Sequence, residues 1–283
     1  MDKITSLVEA RKKFSTQEAC EDYLARMRWP EGVTCPRCGS KEVTRLSTRK
    51  KWQCKGCRYQ FSVTAGTIFH KTYVDLPRWM MAMWLMCHSP KGVSSAQIQR
   101  ELGVTYKTAW YMTRRLRVAI SRSVEGMVIS GDVEVDEAVV HATGGRATGN
   151  VSPNTKDVIG FVSRDQGTMR LFVLDRLNKA EVVRVTTRNV ADVQRIYSDG
   201  ATRLKFLSQI GMHQAVAHYF TYVDGVAHVN HVESAWSLFK RGLVGVYHHV
   251  SAKWLQGYLD EFAFRGSHRQ EKARMMELVL ASC

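Results

Sequence analysis

Three acidic residues in the second half of the chain have surroundings that suit a metal-ion site. Asp136 lies among valines in the strand-like run VEVDEAVV, where an ionised carboxylate is costly to bury unless it is paired or binds a metal. Asp199 ends the strand-like segment RIYSD just before Gly200, and open sheets place their ligand sites at strand ends. Glu233 falls early in a predicted helix over residues 232–241. Two strand carboxylates and one helix carboxylate can converge on Mg²⁺, which prefers oxygen ligands.

The chemistry that such a site performs is phosphoryl transfer. Two Mg²⁺ ions about 4 Å apart activate an attacking water or 3′-hydroxyl and stabilise the leaving oxygen of a phosphodiester. This chemistry works by positioning and charge, and it needs no covalent enzyme intermediate.

Each carboxylate also has a purely structural explanation. Asp132, Glu134 and Asp136 alternate along one strand and share a face, so any of them is a candidate ligand or a solvated edge charge. Asp199 suits a turn before a glycine. Glu233 suits the first turn of a helix, where the helix dipole favours an acid. Only the three together favour a metal site.

Four of the seven cysteines have the spacing of a structural zinc site. Cys35, Cys38, Cys54 and Cys57 form the pattern C-x2-C-x15-C-x2-C, and residues 41–53 between the pairs are predicted to form a hairpin. Disulfides are not expected in a reducing cytoplasm, and four incidental thiols would not be spaced as two correct pairs. We therefore predict a zinc ribbon, in which the four thiolates leave Zn²⁺ no open position for chemistry.

A basic helical segment follows the ribbon. Residues 94–102 and 106–121 are predicted helices joined by Gly103-Val104-Thr105, which is the pattern of a helix-turn-helix unit. The second helix would enter the DNA groove, and the residues predicted to face DNA are Tyr106, Lys107, Thr108, Tyr111, Arg114 and Arg115. A plain helical hairpin with a solvated basic face is the alternative, since short helix–glycine–helix patterns are common.

The charge of the chain indicates a polyanionic partner. Its 41 Lys and Arg against 26 Asp and Glu give a formal net charge of +15. No segment has the roughly 18 continuous apolar residues of a membrane span, and the N-terminus lacks the apolar stretch of a signal peptide. We therefore expect a cytoplasmic protein that binds nucleic acid and no membrane.

The order of predicted elements indicates an α/β fold of the RNase H type. Three strand-like runs are followed by a helix, the strand that ends at Asp199, a short helix, a strand over residues 213–218 and C-terminal helices. We predict an N-terminal helix and zinc ribbon at residues 14–72, a helix-turn-helix region at 73–124, and an RNase H-like mixed sheet flanked by helices at 125–283.

Several runs of this sequence are shared with a known family. They are FSTQEACEDYLARMRWPEGVTCPRCGS, WQCKGCRYQFSVTAGTIFH, EVDE, YSDG, HVNHVESAWSLFKRG and YHHVSAKWLQGYLDEFAFRGSHR. From about Phe14 to Arg269 the chain resembles the insertion-sequence transposases of the family numbered fifteen-ninety-five (ISXO type). The resemblance implies an RNase H-like catalytic domain in which Asp136, Asp199 and Glu233 are the metal-binding triad.

The resemblance also implicates a lysine on the helix of Glu233. Lys240 lies seven residues after Glu233, two helical turns along the same face, so we expect it and Arg241 to contact DNA phosphates near the cut. In this family EVDE is usually followed by an aromatic residue and a Gly-Gly pair, whereas this chain has AVVHATGG at residues 138–145. The loop after the first strand therefore departs from the family pattern.

The activity implied by the resemblance is DNA transposition. The protein would bind the terminal inverted repeats of its element, cleave DNA and join the 3′-hydroxyl ends to target DNA, using structural Zn²⁺ and two catalytic Mg²⁺. We expect a homo-oligomer in the synaptic complex, in the bacterial cytoplasm and associated with the nucleoid when bound to DNA. One alternative is a domesticated DNA-binding regulator, which would have no use for three carboxylates. The other is a host nuclease of RNase H type, which gives the DNA-binding N-terminus no role.

Overall fold

The chain forms two compact units. The computed structural model describes residues 4–46, 49–141, 155–199, 202–215 and 228–283. The first unit comprises Met1–His88, Ser95–Ser123 and Glu271–Cys283, and the second comprises Ser89–Ser94 and Val124–Gln270. Among the described helices, none is long and apolar enough to cross a membrane.

The first unit begins with two short helices and a three-stranded antiparallel sheet. The helices are α1 (Leu7–Lys13) and α2 (Gln17–Arg28), and the strands are β1 (Val43–Leu46), β2 (Lys51–Cys54) and β3 (Gln60–Phe61). The predicted hairpin between the cysteine pairs corresponds to β1 and β2, with Val43 opposite Cys54. Trp29, which ends α2, packs edge-on against Trp52 and Phe61 of the sheet. Aromatic packing therefore joins α2 to this small sheet.

Four further helices complete the first unit. They are α3 (Leu76–His88), α4 (Ser95–Leu102), α5 (Tyr106–Val124, whose last residue belongs to the second unit) and α9 (Met275–Ala281). Gly103 joins α4 to α5 with a φ of 62°, a left-handed conformation that glycine adopts without strain. The C-terminal helix α9 packs against α2 and α3. Residues at opposite ends of the chain thus share one core.

The second unit is built on a five-stranded mixed sheet. Its strands are β4 (Ile129–His141), β5 (Thr155–Ser163), β6 (Met169–Leu174), β7 (Val190–Ser198) and β8 (Met212–Ala215), and its α-helices are α6 (Lys179–Asn189), α7 (Asn230–Gly242) and α8 (Leu255–Ser267). The strand order is β6-β5-β4-β7-β8, with the first three antiparallel and β7 and β8 parallel to β4. This arrangement confirms the predicted fold class, a mixed RNase H-like sheet flanked by helices. Of the predicted strand 213–218, residues 216–218 lie outside the described part.

The sheet has two apolar faces, and strand alternation assigns each residue to one of them. On one face Val133 and Val135 pack in a core with Val182 of α6. On the other, Tyr197 packs in a core with Val232 of α7. Residues that alternate with Val133 and Val135 along β4 therefore face α7.

A bulge near the start of β4 sets this alternation. The pairing of β4 with β7 shifts register on both sides of Gly131, which has a φ of 78°. The Asp165 carboxylate accepts a hydrogen bond from the backbone N–H of Asp132 at 3.0 Å, and a Cβ on Gly131 would lie 2.2 Å from that carboxylate. Only glycine fits here, and because a one-residue slip reverses every side chain, the bulge decides which residues face α7.

Replacing Gly160 with alanine tests how closely α7 packs on the sheet. A Cβ at Gly160 would lie 2.8 Å from Trp236 and 3.0 Å from Val232, both on α7. We expect Gly160→Ala to lower the free energy of unfolding by about 1–3 kcal/mol, because the helix must shift to admit the methyl group. The measurement is urea denaturation, with Gly245→Ala as the control because a Cβ there meets no atom within 4 Å. Equal stability of the two variants would contradict this packing.

Candidate functional site

The strand register places two of the predicted carboxylates side by side. β4 and β7 run parallel, and their last recorded pair is Glu134 with Tyr197. Two residues further along the chain are Asp136, still on β4, and Asp199, one residue beyond the end of β7. Neighbouring strands of a sheet lie about 4.8 Å apart. Because side chains two residues apart on a strand point to the same side, Asp136 and Asp199 lie on the same face as Glu134 and Tyr197, which is the face that α7 covers.

The third predicted carboxylate, Glu233, lies in the first turn of α7. The negative charge of Glu233 acts on Asp136 of β4. Burial first, and then the negative charges of Asp199 and Glu233, raise the pKa of Asp136 to about 7. The charges of Asp199 and Glu233 thus both act on Asp136, and a bound divalent cation would relieve this repulsion.

The first turn of α7 is held by a carboxylate from the sheet. The Glu134 carboxylate accepts hydrogen bonds from the backbone N–H of His231 at 2.8 Å and of Val232 at 3.2 Å. The helix has no side-chain cap of its own, since Val229 stands at its N-cap. Glu134 therefore acts as the cap of α7, and the helix dipole favours its negative charge.

Glu134 is the centre of a buried cluster. Its side chain is 0% exposed, and its Oε1 lies 2.8 Å from Arg164 Nε, 2.8 Å from His231 Nδ1 and 3.2 Å from His228 Nδ1. Arg164 also donates to the carbonyl of His228, and its guanidinium lies 3.7 Å from the centre of the Tyr197 ring. Burial, and then the charge of Arg164, lower the pKa of His228.

The interpretation of Glu134 as a solvated edge charge is therefore wrong. Period-two alternation places Asp132, Glu134 and Asp136 on one face, but it does not tell which of them is covered. Asp132 is partly exposed and lies 3.6 Å from Arg195 and 3.3 Å from the Tyr197 hydroxyl. The pattern His-x-x-His at residues 228–231 was a signal for this cluster, but the sequence does not connect it with β4.

Two predicted DNA-contacting residues lie further along α7. Lys240 and Arg241 are both exposed, while Val232, Trp236 and Phe239 face the core. Glu233 is exposed on the same helix, so a cationic pair lies two turns from the carboxylate.

The four predicted zinc ligands come together. Their sulfur atoms all lie within 4.8 Å of one another, with Cys35 3.6 Å from Cys57 and Cys38 3.5 Å from Cys54. Tetrahedral zinc with Zn–S bonds of about 2.3 Å needs sulfurs roughly 3.8 Å apart, so the four donors fit it. The backbone N–H of Cys57 is the main cause that lowers the pKa of Cys54 to about 6, which favours the thiolate that binds metal.

The predicted recognition helix α5 presents an aromatic and basic surface. Tyr106 is 55% exposed, Tyr111 48% and Trp110 39%, and Lys107 is also exposed. The Arg114 guanidinium lies 4.6 Å from the centre of the Trp110 ring. Trp110 was not among the residues predicted to face DNA, yet it is part of this exposed surface.

Two of the predicted contacts on α5 have structural partners. Thr108 is half-buried, and its backbone N–H and hydroxyl both bond to the Thr105 hydroxyl at the start of the helix. Arg115 is half-buried, donates to the carbonyl of His70 at 3.0 Å and lies over the Tyr111 ring. These contacts orient the exposed surface.

Comparison with known proteins shows which family has this combination of a cysteine ribbon and a carboxylate-bearing sheet. Residues 15–60 match the transposase zinc-ribbon domain, and residues 128–266 match the ISXO2-like transposase domain. The two matches together cover more than half of the chain, which is therefore a transposase, a class of enzyme that acts on DNA. It belongs to the family of insertion-sequence transposases whose ribbon and catalytic domains it matches.

The chain is also similar to a protein of a transposable element and, more weakly, to a solved structure. The chain is 29% identical, over 277 residues, to an uncharacterized protein in the transposable element ISH50 of Halobacterium salinarum, covering 90% of this chain and 92% of the relative. Among solved structures, a pre-cleavage Mos1 transpososome matches with 13% identity and a TM-score of 0.27, covering 72% of this chain and 78% of that one. At that TM-score the structural likeness adds nothing to the assignment.

Removal of one cysteine tests the ribbon. Purified protein should carry about one tightly held Zn²⁺ per chain, and Cys54→Ser should release it and loosen the ribbon, because metal binding supplies folding energy in so small a module. Metal analysis and limited proteolysis measure the two effects. Cys87→Ser is the matched control, since Cys87 is buried in α3. Zinc-free protein prepared without chelator would contradict the ribbon.

Proposed function

We propose that this transposase binds the terminal inverted repeats of an insertion sequence, cleaves the DNA there and joins the 3′-hydroxyl ends to target DNA. The observation that carries the proposal is the approach of Asp136, Asp199 and Glu233 on one side of the mixed sheet. Asp136 and Asp199 continue neighbouring parallel strands, and Glu233 comes from the helix that covers them. A protein that only binds DNA has no need for such a costly cluster of like charges.

The donor set of this cluster suits magnesium. Three carboxylates offer only oxygen ligands, which Mg²⁺ prefers, and Asp136, Asp199 and Glu233 would hold the ions. When bound, the ions activate the attacking water or 3′-hydroxyl and stabilise the leaving oxygen. The half-buried setting of Asp136 and Asp199 limits the access of water and strengthens each charge interaction.

Cationic residues on α7 would hold the DNA strand at this site. Lys240 and Arg241 are exposed, and Lys240 lies two turns from Glu233 on the same helix. Both side chains are suited to phosphate oxygens, which they would bind without regard to base sequence. Their role is to keep the scissile phosphodiester against the carboxylates.

The first unit would recognise the element ends. Its helix α5 presents Lys107, Tyr111 and Trp110 to solvent, with Arg114 stacked on the tryptophan. We assign the ribbon of residues 14–72 and the helix-turn-helix of residues 73–124 to DNA binding, and residues 125–283 to catalysis. Since two ends of one element must be paired, we also propose a homo-oligomer in the synaptic complex, bound to the bacterial nucleoid.

Removing one carboxylate charge tests the catalytic assignment. Asp136→Asn and Asp199→Asn keep size and hydrogen bonding but weaken the metal site, so strand cleavage and joining should fall by several orders of magnitude. Binding to the element ends should remain. The assays use labelled element ends, a plasmid target and Mg²⁺, together with a gel-shift measurement of end binding.

Asp157→Asn is the matched control for these variants. Asp157 lies on β5 two residues from Ile159, and both are on the face of the sheet opposite to the carboxylates. The Asp157→Asn variant should cleave and join DNA at the normal rate. Normal activity of Asp136→Asn and Asp199→Asn would remove the enzymatic assignment, whereas loss of end binding would mean that the variants had misfolded.

Removing one exposed lysine tests the recognition helix. If Lys107 binds a phosphate, Lys107→Ala should weaken end binding uniformly across sequences and reduce the slope of log K against log salt by about 1. Lys12→Ala removes the same charge from an exposed position of α1 and should leave the slope unchanged. The same slope for Lys107→Ala and the unaltered protein would show that the DNA lies elsewhere.

A further inference from the structure

We propose that Glu134 is the positioning residue of the carboxylate site, and that it fixes Glu233 through the first turn of α7. The proposal rests on the proposed function, because it concerns the placement of Glu233 relative to Asp136. Glu134 is two residues from Asp136 on the same face of β4, and it bonds the backbone N–H of Val232, the residue before Glu233. One side chain thus connects the strand and the helix that carry two of the three carboxylates.

The hydrogen bonds at Glu134 require a carboxylate. One oxygen, Oε2, accepts from two backbone N–H groups of α7, while the other, Oε1, lies at 2.8 Å from both Arg164 Nε and His231 Nδ1. Both oxygens must therefore accept. Glutamine has a similar shape, but it offers one acceptor oxygen and places N–H groups where the second acceptor must be.

Arg164 makes the buried charge tolerable and extends its effect. A fully buried carboxylate is strongly destabilising without a partner, and the Arg164 guanidinium supplies one. The same guanidinium donates to the carbonyl of His228, two residues before α7 begins, and lies over the ring of Tyr197 on β7. Arg164 therefore connects the segment just before α7 with β7, the strand that ends one residue before Asp199.

The same cluster has the composition of a metal site, but its charge argues against one. Ligand atoms of Glu134, His228 and His231 lie within 4.8 Å of one another. However, the permanent positive charge of Arg164 lies 2.8 Å from the Glu134 oxygen that faces both imidazoles. A cation there would be repelled, and it would have to displace the guanidinium. The geometry is that of an ion-paired cap.

The experiment compares Glu134→Gln with Glu261→Gln in the full-length protein. Glu261 is also fully buried and ion-paired, with Arg265 of the same helix α8, and it accepts from the Tyr247 hydroxyl at 2.9 Å. It lies in the same unit, and these two partners, Arg265 and Tyr247, are outside the first turn of α7. Both variants should lose stability, because each leaves a buried arginine without its charged partner.

Two readouts separate positioning from general destabilisation. In metal-free protein, hydrogen exchange should become faster in residues 231–233 for Glu134→Gln and remain unchanged there for Glu261→Gln. In the cleavage assay, the Mg²⁺ concentration that gives half-maximal rate should rise, or the maximal rate fall, by about 10- to 100-fold for Glu134→Gln only, as is typical when the partner of a metal ligand is lost. Binding to element ends should be retained by both.

The outcomes are distinguishable. If Glu134→Gln keeps the normal exchange and Mg²⁺ dependence, or if Glu261→Gln changes them equally, Glu134 is not a positioning residue. Asp136→Asn in the same assay tests the function separately, since its normal cleavage would refute the enzymatic assignment. Two Zn²⁺ per chain, reduced to one by Glu134→Gln, would instead make the cluster a metal site.

If Glu134→Gln does not fold, Arg164→Lys replaces it in the experiment. This variant keeps the positive charge but loses the second hydrogen-bond donor, so a smaller rise in the Mg²⁺ requirement is expected. An unchanged Mg²⁺ requirement would again overturn the proposal.

Discussion

The arrangement of the second unit depends on one buried interaction, in which the Glu134 carboxylate receives the N-terminus of α7. The helix has no cap in its own sequence, and the strand has a buried negative charge, so each supplies what the other lacks. Arg164 neutralises the remaining charge at 2.8 Å. A helix docked by its backbone has a fixed rotation and a fixed depth. Its outward residues, Glu233 and later Lys240, are therefore placed relative to Asp136 by a residue that is not itself one of the proposed metal ligands.

The sheet contributes the other half of this geometry through register. Asp136 and Asp199 come close because β7 pairs with β4 in parallel up to Glu134 and Tyr197, two residues before each of them. The bulge at Gly131 sets which alternate residues of β4 face α7, and Gly160 lets that helix approach closely. A shift of one residue in either strand would turn a carboxylate into the core of the opposite face.

The first unit follows a different principle, because its small sheet is organised by four sulfurs and a few aromatic rings. Trp29, Trp52 and Phe61 form the apolar contact between α2 and the ribbon. The helical part has a conventional core, to which the last helix of the chain contributes. On α5, Arg115 and Thr108 stabilise the unit, while Lys107 and the aromatic residues remain exposed. The contacts of Arg115 and Thr108 within the unit therefore hold in place the exposed surface to which we assign DNA binding.

The sequence alone determined the local features of this protein. The spacing of the cysteines fixed a four-sulfur site, the order of strands and helices gave the mixed sheet, and shared motifs selected Asp136, Asp199 and Glu233. Only the tertiary structure decided which acid on the β4 face is buried and which helix it caps, because Glu134 and His231 are far apart in the chain and period-two alternation treats all same-face residues alike. For the same reason the sequence did not reveal that α9 returns to the first unit or that Arg115 bonds His70. Spacing predicts what neighbours along the chain do together, whereas contacts between distant segments depend on the packing of the folded chain.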